Sequence, residues 1–339
     1  MPSLIAVFGA TGKQGGAVAR SLLQNKADFR VRAITRNPNS EASRALAEAG
    51  AEVVQADGFD GQQMRRAFQG CWGCFVNLNS DDPLFRKDGA PSEVDMGKCI
   101  VDAAVDAAVQ HLVFSSGPPC VAMTEGRVNM KAMESKYQIE QYARKLGHFK
   151  TLTPINAAWY LENFLDQQVA PIFGGFPYIP DEQGYLTFRV PNWGGTNEVP
   201  FVSVGDDYGD IVQGIFLHPE RYSGRVIQGA SFIVSFEQLI GAFEIGTSLF
   251  PPLIHILFEP LLPDWKAFNT HGIPELDDVK LMFAFTQTTN GLYFGPEASQ
   301  TVTASELKRA TSEALSRPAA EGGLISPREW FAKHFTGEK

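Results

Sequence analysis

Gly9, Gly12 and Gly15 recur at every third position in the run Val7-Phe8-Gly9-Ala10-Thr11-Gly12-Lys13-Gln14-Gly15-Gly16. A glycine at the first position permits a tight turn. One at the second lets backbone approach a pyrophosphate. One at the third lets a helix pack close, with its N-terminus facing the phosphates. The apolar run Leu4–Phe8 before the loop reads as a buried strand, and a helical pattern follows from about Gly15 to Gln24. That context turns a weak glycine pattern into a dinucleotide-binding one. Thr11, Lys13 and Gln14 lie in the same loop and join the three glycines as cofactor-binding candidates. The loop is not a nucleoside-triphosphate loop: Val7 stands where that motif has its first glycine, and Gln14 replaces the required Ser or Thr.

The end of the second strand decides between dinucleotides. An acidic residue there would hold the ribose hydroxyl of NAD(H). This chain has Ile34-Thr35-Arg36-Asn37-Pro38, and a guanidinium at Arg36 suits the 2′-phosphate of NADP(H). Asp57, after the third strand, is placed to accept a hydrogen bond from the adenine amino group, and Asn79, just past the fourth, completes the adenosine-side candidates.

These residues need a scaffold, and the first half supplies one. Apolar strands at Leu4–Phe8, Phe29–Ile34, Glu52–Gln55, Cys74–Leu78 and His111–Ser115 alternate with helices near 15–24, 40–50, 61–69 and 92–109. Such alternation implies right-handed crossovers and a doubly wound parallel α/β sheet. After about Asn156 glycine, proline and aromatic residues become dense, and regular elements return near Val204–Leu217, Arg225–Gln228 and Ser326–Phe335. Ser326 followed by Pro327 reads as a helix start. The expected division is a dinucleotide-binding domain over 1–155 and a smaller mixed α/β domain over 156–339, on the substrate or partner side and partly interleaved with the sheet.

The chain has 339 residues, 44% hydrophobic and 20% charged, which excludes a mainly disordered protein. A formal net charge of -9 argues against direct nucleic-acid binding. The stretch Leu249–Pro263 is broken by Pro251, Pro252, His255 and Glu259, so it does not read as a membrane span, and Leu4–Phe8 is too short for a signal peptide. Four cysteines are too few for a disulfide scaffold, and a cytosolic compartment is the expectation. Cys71-Trp72-Gly73-Cys74 has redox-pair spacing but leads into a strand, so burial is expected. The scattered histidines give no metal motif. Asp206, Asp207 and Asp210 are expected to cap a helix start rather than bind metal.

The runs Gly9–Arg20, Ile34–Pro38, Gly50–Asp57, Tyr160–Asn163 and Val199–Tyr222 resemble the NmrA-like family of atypical short-chain dehydrogenases. The resemblance covers most of the chain. It implies NADP(H) in the glycine loop, and it admits both oxidoreductases of fungal type and NADPH-sensing regulators that act through protein partners. It also implies that Ser115 and Ser116 end the fifth strand near the nicotinamide, with Tyr160, Glu162 and Asn163 beside it.

Ordinary short-chain dehydrogenases carry Tyr-x-x-x-Lys on the helix after the fifth strand. Here the matching lysine is Lys136, and Ala132 stands where the proton-donating tyrosine would be. Tyr137 projects elsewhere on a helix. Lys136 is therefore the catalytic candidate, as acid or base without a tyrosine, or it holds the cofactor ribose. The remaining reading is a solvated charge paired with Glu140 at i+4. Asp95 departs from sensor-type members, which can carry a lysine there.

Two functions follow. The first is an NADPH-dependent reductase of a small apolar or aromatic metabolite. The alternative is a non-catalytic NADPH/NADP redox sensor or co-regulator, for which the nucleus is also open. An oligomer is compatible with either. Leu249–Trp265 reads as a pocket roof, a docking surface or core.

Overall fold

The computed structural model describes residues 1–87, 89–247, 255–257, 262 and 264–336. Seven strands form one parallel sheet: β1 (Ser3–Phe8), β2 (Phe29–Thr35), β3 (Glu52–Gln55), β4 (Gly73–Val76), β5 (His111–Ser116), β6 (Thr151–Ala157) and β10 (Ile227–Gly229). In a second sheet the short strand β9 (Val199–Val202) lies between β7 (Trp159–Tyr160) and β11 (Phe232–Val234) and pairs with both. β8 (Tyr185–Thr187) pairs with β12 (His255–Leu257). The main sheet runs in the order β10-β6-β5-β4-β1-β2-β3. Chain order reverses between β1 and β4, and the crevice that opens at such a switch point is where doubly wound folds hold ligands.

The helices are α1 (Lys13–Gln24), α2 (Glu41–Glu48), α3 (Gly61–Phe68), α4 (Glu93–Asp106), α5 (Cys120–Met123), α6 (Lys131–Leu146), α7 (Gly209–Leu217), α8 (Pro219–Tyr222), α9 (Phe236–Thr247), α10 (Pro274–Thr288), α11 (Val302–Ala314) and α12 (Pro327–Phe335). Strand residues alternate between two cores. Ile5, Val7, Phe75, Val113 and Ile155 face the layer that contains α1, α7 and α11. Ala6, Cys74, Val76, Leu112 and Phe114 face α3, α4 and α6. Burial on both faces is why these strands read as continuous apolar runs.

Helix starts follow local chemistry. Ser40 and Asp60 accept backbone N–H bonds at the starts of α2 and α3. Ser92 with Asp95, and Ser326 with Glu329, form reciprocal capping boxes on α4 and α12. Asp95 thus serves as a helix cap. Cys71 and Cys74 are both buried, and burial pushes the Cys71 thiol up to about 11, so neither is a reactive thiolate.

Two features escape the sequence pattern. β6 contains Pro154, a residue that argues against an interior strand. Its pairing with β10 begins only at Ile155, so Pro154 needs no donor on that side. β10 belongs to the C-terminal half yet completes the main sheet beside β6. The aromatic density after Asn156 is core: Trp159 stacks on Trp193 and Phe201, and meets Phe236 and Phe283 edge-on. Most of Leu249–Trp265 lies outside the described residues.

The C-terminal half is held to the sheet by close backbone contact. A Cβ on Gly209 would stand 2.3 Å from the Ala17 carbonyl oxygen of α1, and one on Gly214 would stand 2.4 Å from that of Leu307 on α11. Backbone on both sides cannot yield. Gly214→Ala is therefore expected to lower the unfolding free energy by about 1–3 kcal/mol, read from urea denaturation. An unchanged midpoint would mean that α7 and α11 separate freely.

Candidate cofactor and active site

The glycine loop leaves β1 and turns at Gly9, whose φ is +77°. A Cβ there would lie 2.7 Å from the Asn77 carbonyl oxygen, and one on Gly15 would lie 2.2 Å from that of Gly9. These contacts make glycine obligatory at both positions. Gly12 is the N-cap of α1 and forms no side-chain cap, and the first turn carries no acidic residue. Exposed Thr11, Gly12 and Lys13 surround this positive helix end. An uncapped, unneutralised N-terminus with backbone N–H groups free is the arrangement a pyrophosphate requires, so the residues fit the dinucleotide.

Other elements come to the loop. Lys13 Nζ donates to Asn163 Oδ1 at 3.5 Å, and Gln14 Nε2 donates to the Tyr160 hydroxyl. Among the described residues the buried Gln14 Oε1 has no hydrogen-bond partner. Burial raises the Tyr160 phenol above its ordinary value. Glu162 turns elsewhere: its Oε1 accepts from the Gly205 N–H at 2.9 Å and from Ser203 Oγ at 3.3 Å, tying the 3-10 turn Leu161–Leu165 to the start of the π-helical turn Val204–Tyr208.

On the adenosine side, Asp57 Oδ1 accepts from the Phe59 N–H at 2.9 Å. Asn79 is exposed, and its Oδ1 accepts from the Asp81 N–H at 3.3 Å. Arg36 is half-exposed and pairs with Asp82, a residue the sequence reading passed over.

The second centre lies past the ends of β4 and β5. Lys136 is buried rather than solvated: its side chain is 12% exposed. Nζ binds Glu93 Oε1 at 2.5 Å and also donates to Ser80 Oγ, while Ser80 Oγ donates to the same carboxylate at 2.9 Å. The alternative reading, a solvated charge paired with Glu140, does not hold. Glu140 instead accepts from Ser116 Oγ at 2.6 Å and Arg144 Nε at 2.7 Å. Ser116 is thereby committed to α6. Ser115 is buried against Tyr208, whose phenol burial raises well above its ordinary value.

Asp278 of α10 completes the cluster. Its carboxyl is pushed up to about 6, first by burial and then by the Asp81 carboxylate, with Lys136 opposing and Glu93 and Asp277 adding to the rise. Glu93, Ser80 and Asp278 carry no motif. Ser80 and Glu93 meet Lys136 from a loop and from α4, and Asp278 lies within electrostatic range on α10, so spacing could not reveal them.

The trio Asp206, Asp207 and Asp210 is a correction. The cap at that turn is Ser203. The three carboxylates bind cations from the C-terminal region: Asp206 pairs with Lys333 of α12, Asp207 with Lys308 of α11, and Asp210 Oδ2 with Arg317 Nη1 of the loop after α11 at 2.5 Å. Among the described residues no group of three or more His, Cys, Asp or Glu could hold a metal, and no helix is long and apolar enough to cross a membrane.

Residues 1–251 match the model of the NmrA-like family. The chain belongs to that family. An NmrA-like family domain-containing oxidoreductase, FrzB, from Cladobotryum sp. is 64% identical over 342 residues, covering 100% of both chains. The oxidoreductase lnaB from Aspergillus flavus is 60% identical, covering 98% of each. Among solved structures, NmrA, a negative transcriptional regulator in complex with NADP, superposes with a TM-score of 0.68 at 18% identity, covering 98% of this chain and 95% of the other. At that identity the likeness establishes the fold. This NmrA-like chain has a mostly parallel Rossmann-type sheet, as its glycine loop implied.

A carboxyl held protonated in the folded chain destabilises the fold once it ionises. The contribution of Asp278 to stability should therefore fall as pH rises from 3.8 through about 6, because its folded-state carboxyl keeps a proton that the unfolded state releases. Asp278→Asn should melt a few degrees above wild type at pH 8, and the gap should close towards pH 4. Equal melting temperatures at both pH values would show that Asp278 is fully solvated.

Proposed function

We propose that this NmrA-like protein is an NADPH-dependent reductase of a small apolar or aromatic metabolite, using Lys136 without a catalytic tyrosine. Gly9, Thr11, Gly12, Lys13, Gln14 and Gly15 hold the pyrophosphate against the start of α1. Arg36 takes the 2′-phosphate, and Asp57 and Asn79 the adenosine. Ser115, Tyr160 and Asn163 line the nicotinamide end, and Glu162, expected there, instead braces the turn that carries Tyr160 and Asn163. NADPH, when bound, supplies a hydride.

The chain's own contribution is a proton. The observation that carries this reading is the state of the Lys136 ammonium. It has three N–H donors, of which Glu93 and Ser80 engage two. One donor is left for a substrate oxygen or the cofactor ribose. Glu93 and Ser80 fix Nζ in place. Met123, Ala132, Met133, Ala157 and Tyr160, on the segments that follow β5 and end β6, are half-buried apolar side chains packed on the larger core, which supports an apolar substrate. The full-length likeness to a fungal chain named an oxidoreductase also supports an enzyme.

Ala132 favours a second reading. It leaves no phenol four residues before Lys136, where a proton donor would stand, which suits a redox sensor that binds NADP(H) and signals to a protein partner.

The test uses NADPH deuterated at the transferred position, incubated with the protein and a metabolite extract, with products read by mass spectrometry. Wild type is expected to move deuterium into a product, and Lys136→Ala to do so at least about 100-fold more slowly. Gly12→Val should fold and lose NADPH binding. Equal transfer by Lys136→Ala would remove the lysine from the chemistry. No transfer by a wild type that binds NADPH tightly would establish the sensor reading instead.

A further inference from the structure

The loop that leaves β4 does not stay beside its own strand. β1 lies between β4 and β2 in the sheet, and the loop crosses the end of β1 to reach the end of β2. It therefore spans the switch-point crevice. Its conformation is well determined by local bonds. The Asp82 N–H donates to the Asn79 carbonyl at 3.1 Å, and Asp82 Oδ1 accepts from the Leu84 N–H at 3.0 Å, capping the 3-10 turn Pro83–Arg86. Phe85 meets Phe59 edge-on, with ring centroids 6.2 Å apart. The other carboxylate oxygen, Asp82 Oδ2, lies 2.7 Å from Arg36 Nη1. The Asp82 side chain is 7% exposed and that of Arg36 is 52% exposed. The carboxylate is the anchored partner and the guanidinium the accessible one.

We propose that Asp82 sets how strongly this chain discriminates NADP(H) from NAD(H), by competing with the 2′-phosphate for the Arg36 guanidinium. The inference rests on the reading of Arg36 as the 2′-phosphate contact. A guanidinium offers five donors, and Asp82 engages one nitrogen of the fork a phosphate would use bidentately. A 2′-phosphate arriving at Arg36 must displace that carboxylate or sit beside it as a like charge. NAD(H) brings a neutral hydroxyl instead, which meets no such repulsion and can donate to a carboxylate. Asp82 therefore weakens NADP(H) while leaving NAD(H) unaffected or slightly favoured. The acid that would mark an NAD(H) site is absent from the end of β2, and this one arrives there from the loop after β4.

Asp82→Asn is the informative substitution. It removes the charge but keeps an oxygen to accept from the Leu84 N–H, and Asp82→Ser keeps a cap by another route. Calorimetric titration of each variant with NADP+ and with NAD+ gives the ratio of the two affinities, with Arg36→Gln and the Arg36→Gln, Asp82→Asn double variant alongside. Both Asp82 variants are expected to raise the NADP+ to NAD+ preference by about tenfold, an increment of about 1.4 kcal/mol, and the gain should vanish in the double variant. If Arg36→Gln lowers the preference but the Asp82 variants leave it unchanged or reduce it, the proposal falls and the Arg36 reading stands. If no variant changes the ratio, both fall.

Discussion

A Cβ on Gly15 would stand 2.2 Å from the carbonyl oxygen of Gly9, and the rest of the molecule is arranged around that close approach. It brings the first turn of α1 against the end of β1, so the positive end of the helix faces the crevice. Gly209 then packs on the Ala17 carbonyl of the same helix. Ser21 donates to Asp210 at 2.6 Å, and Arg317 reaches both Asp210 and Gln24. The helix that presents its N-terminus to a phosphate is thus also the surface on which the C-terminal half is built.

That dependence explains the density of charge in the second half. Asp207 is fully buried and pairs with Lys308, whose side chain is 8% exposed. Such a pair adds little net stability over an apolar one, but removing either partner strands a buried charge. Together with Asp206–Lys333 and Asp210–Arg317 it fixes α11 and α12 to one turn of chain. The same turn receives Glu162 through the Gly205 N–H. Cofactor-side and C-terminal elements therefore share one hydrogen-bonded junction.

The centre around Lys136 follows another logic. Lys136 and Glu93 are held together with little solvent, and the nearby Asp278 carboxyl is held up near 6. A fold selected for stability alone would fill this place with apolar side chains. Keeping it charged is what a site does when it must hold a cation and manage a proton, with or without a tyrosine.

How much of this was legible depends on the range of the interaction. The glycine loop, the strand–helix alternation, the cap at Ser326 and the burial of Cys71 and Cys74 are local. They follow from residue type and spacing within a turn or a strand, and the sequence alone determined them. So did Lys136 as the lysine of a helix without a tyrosine at Ala132. What Lys136 touches could not be read. Glu93 is 43 positions away and Asp278 lies on a late helix, and nothing in spacing links them. The carboxylate beside Arg36 comes from across β1, and β10 joins the sheet from the second half. Pro154 hid β6 because its exemption from donating depends on where its neighbour begins. Local chemistry is written in short spans of chain. The partners of a buried charge are set only when the sheet brings distant loops to one edge.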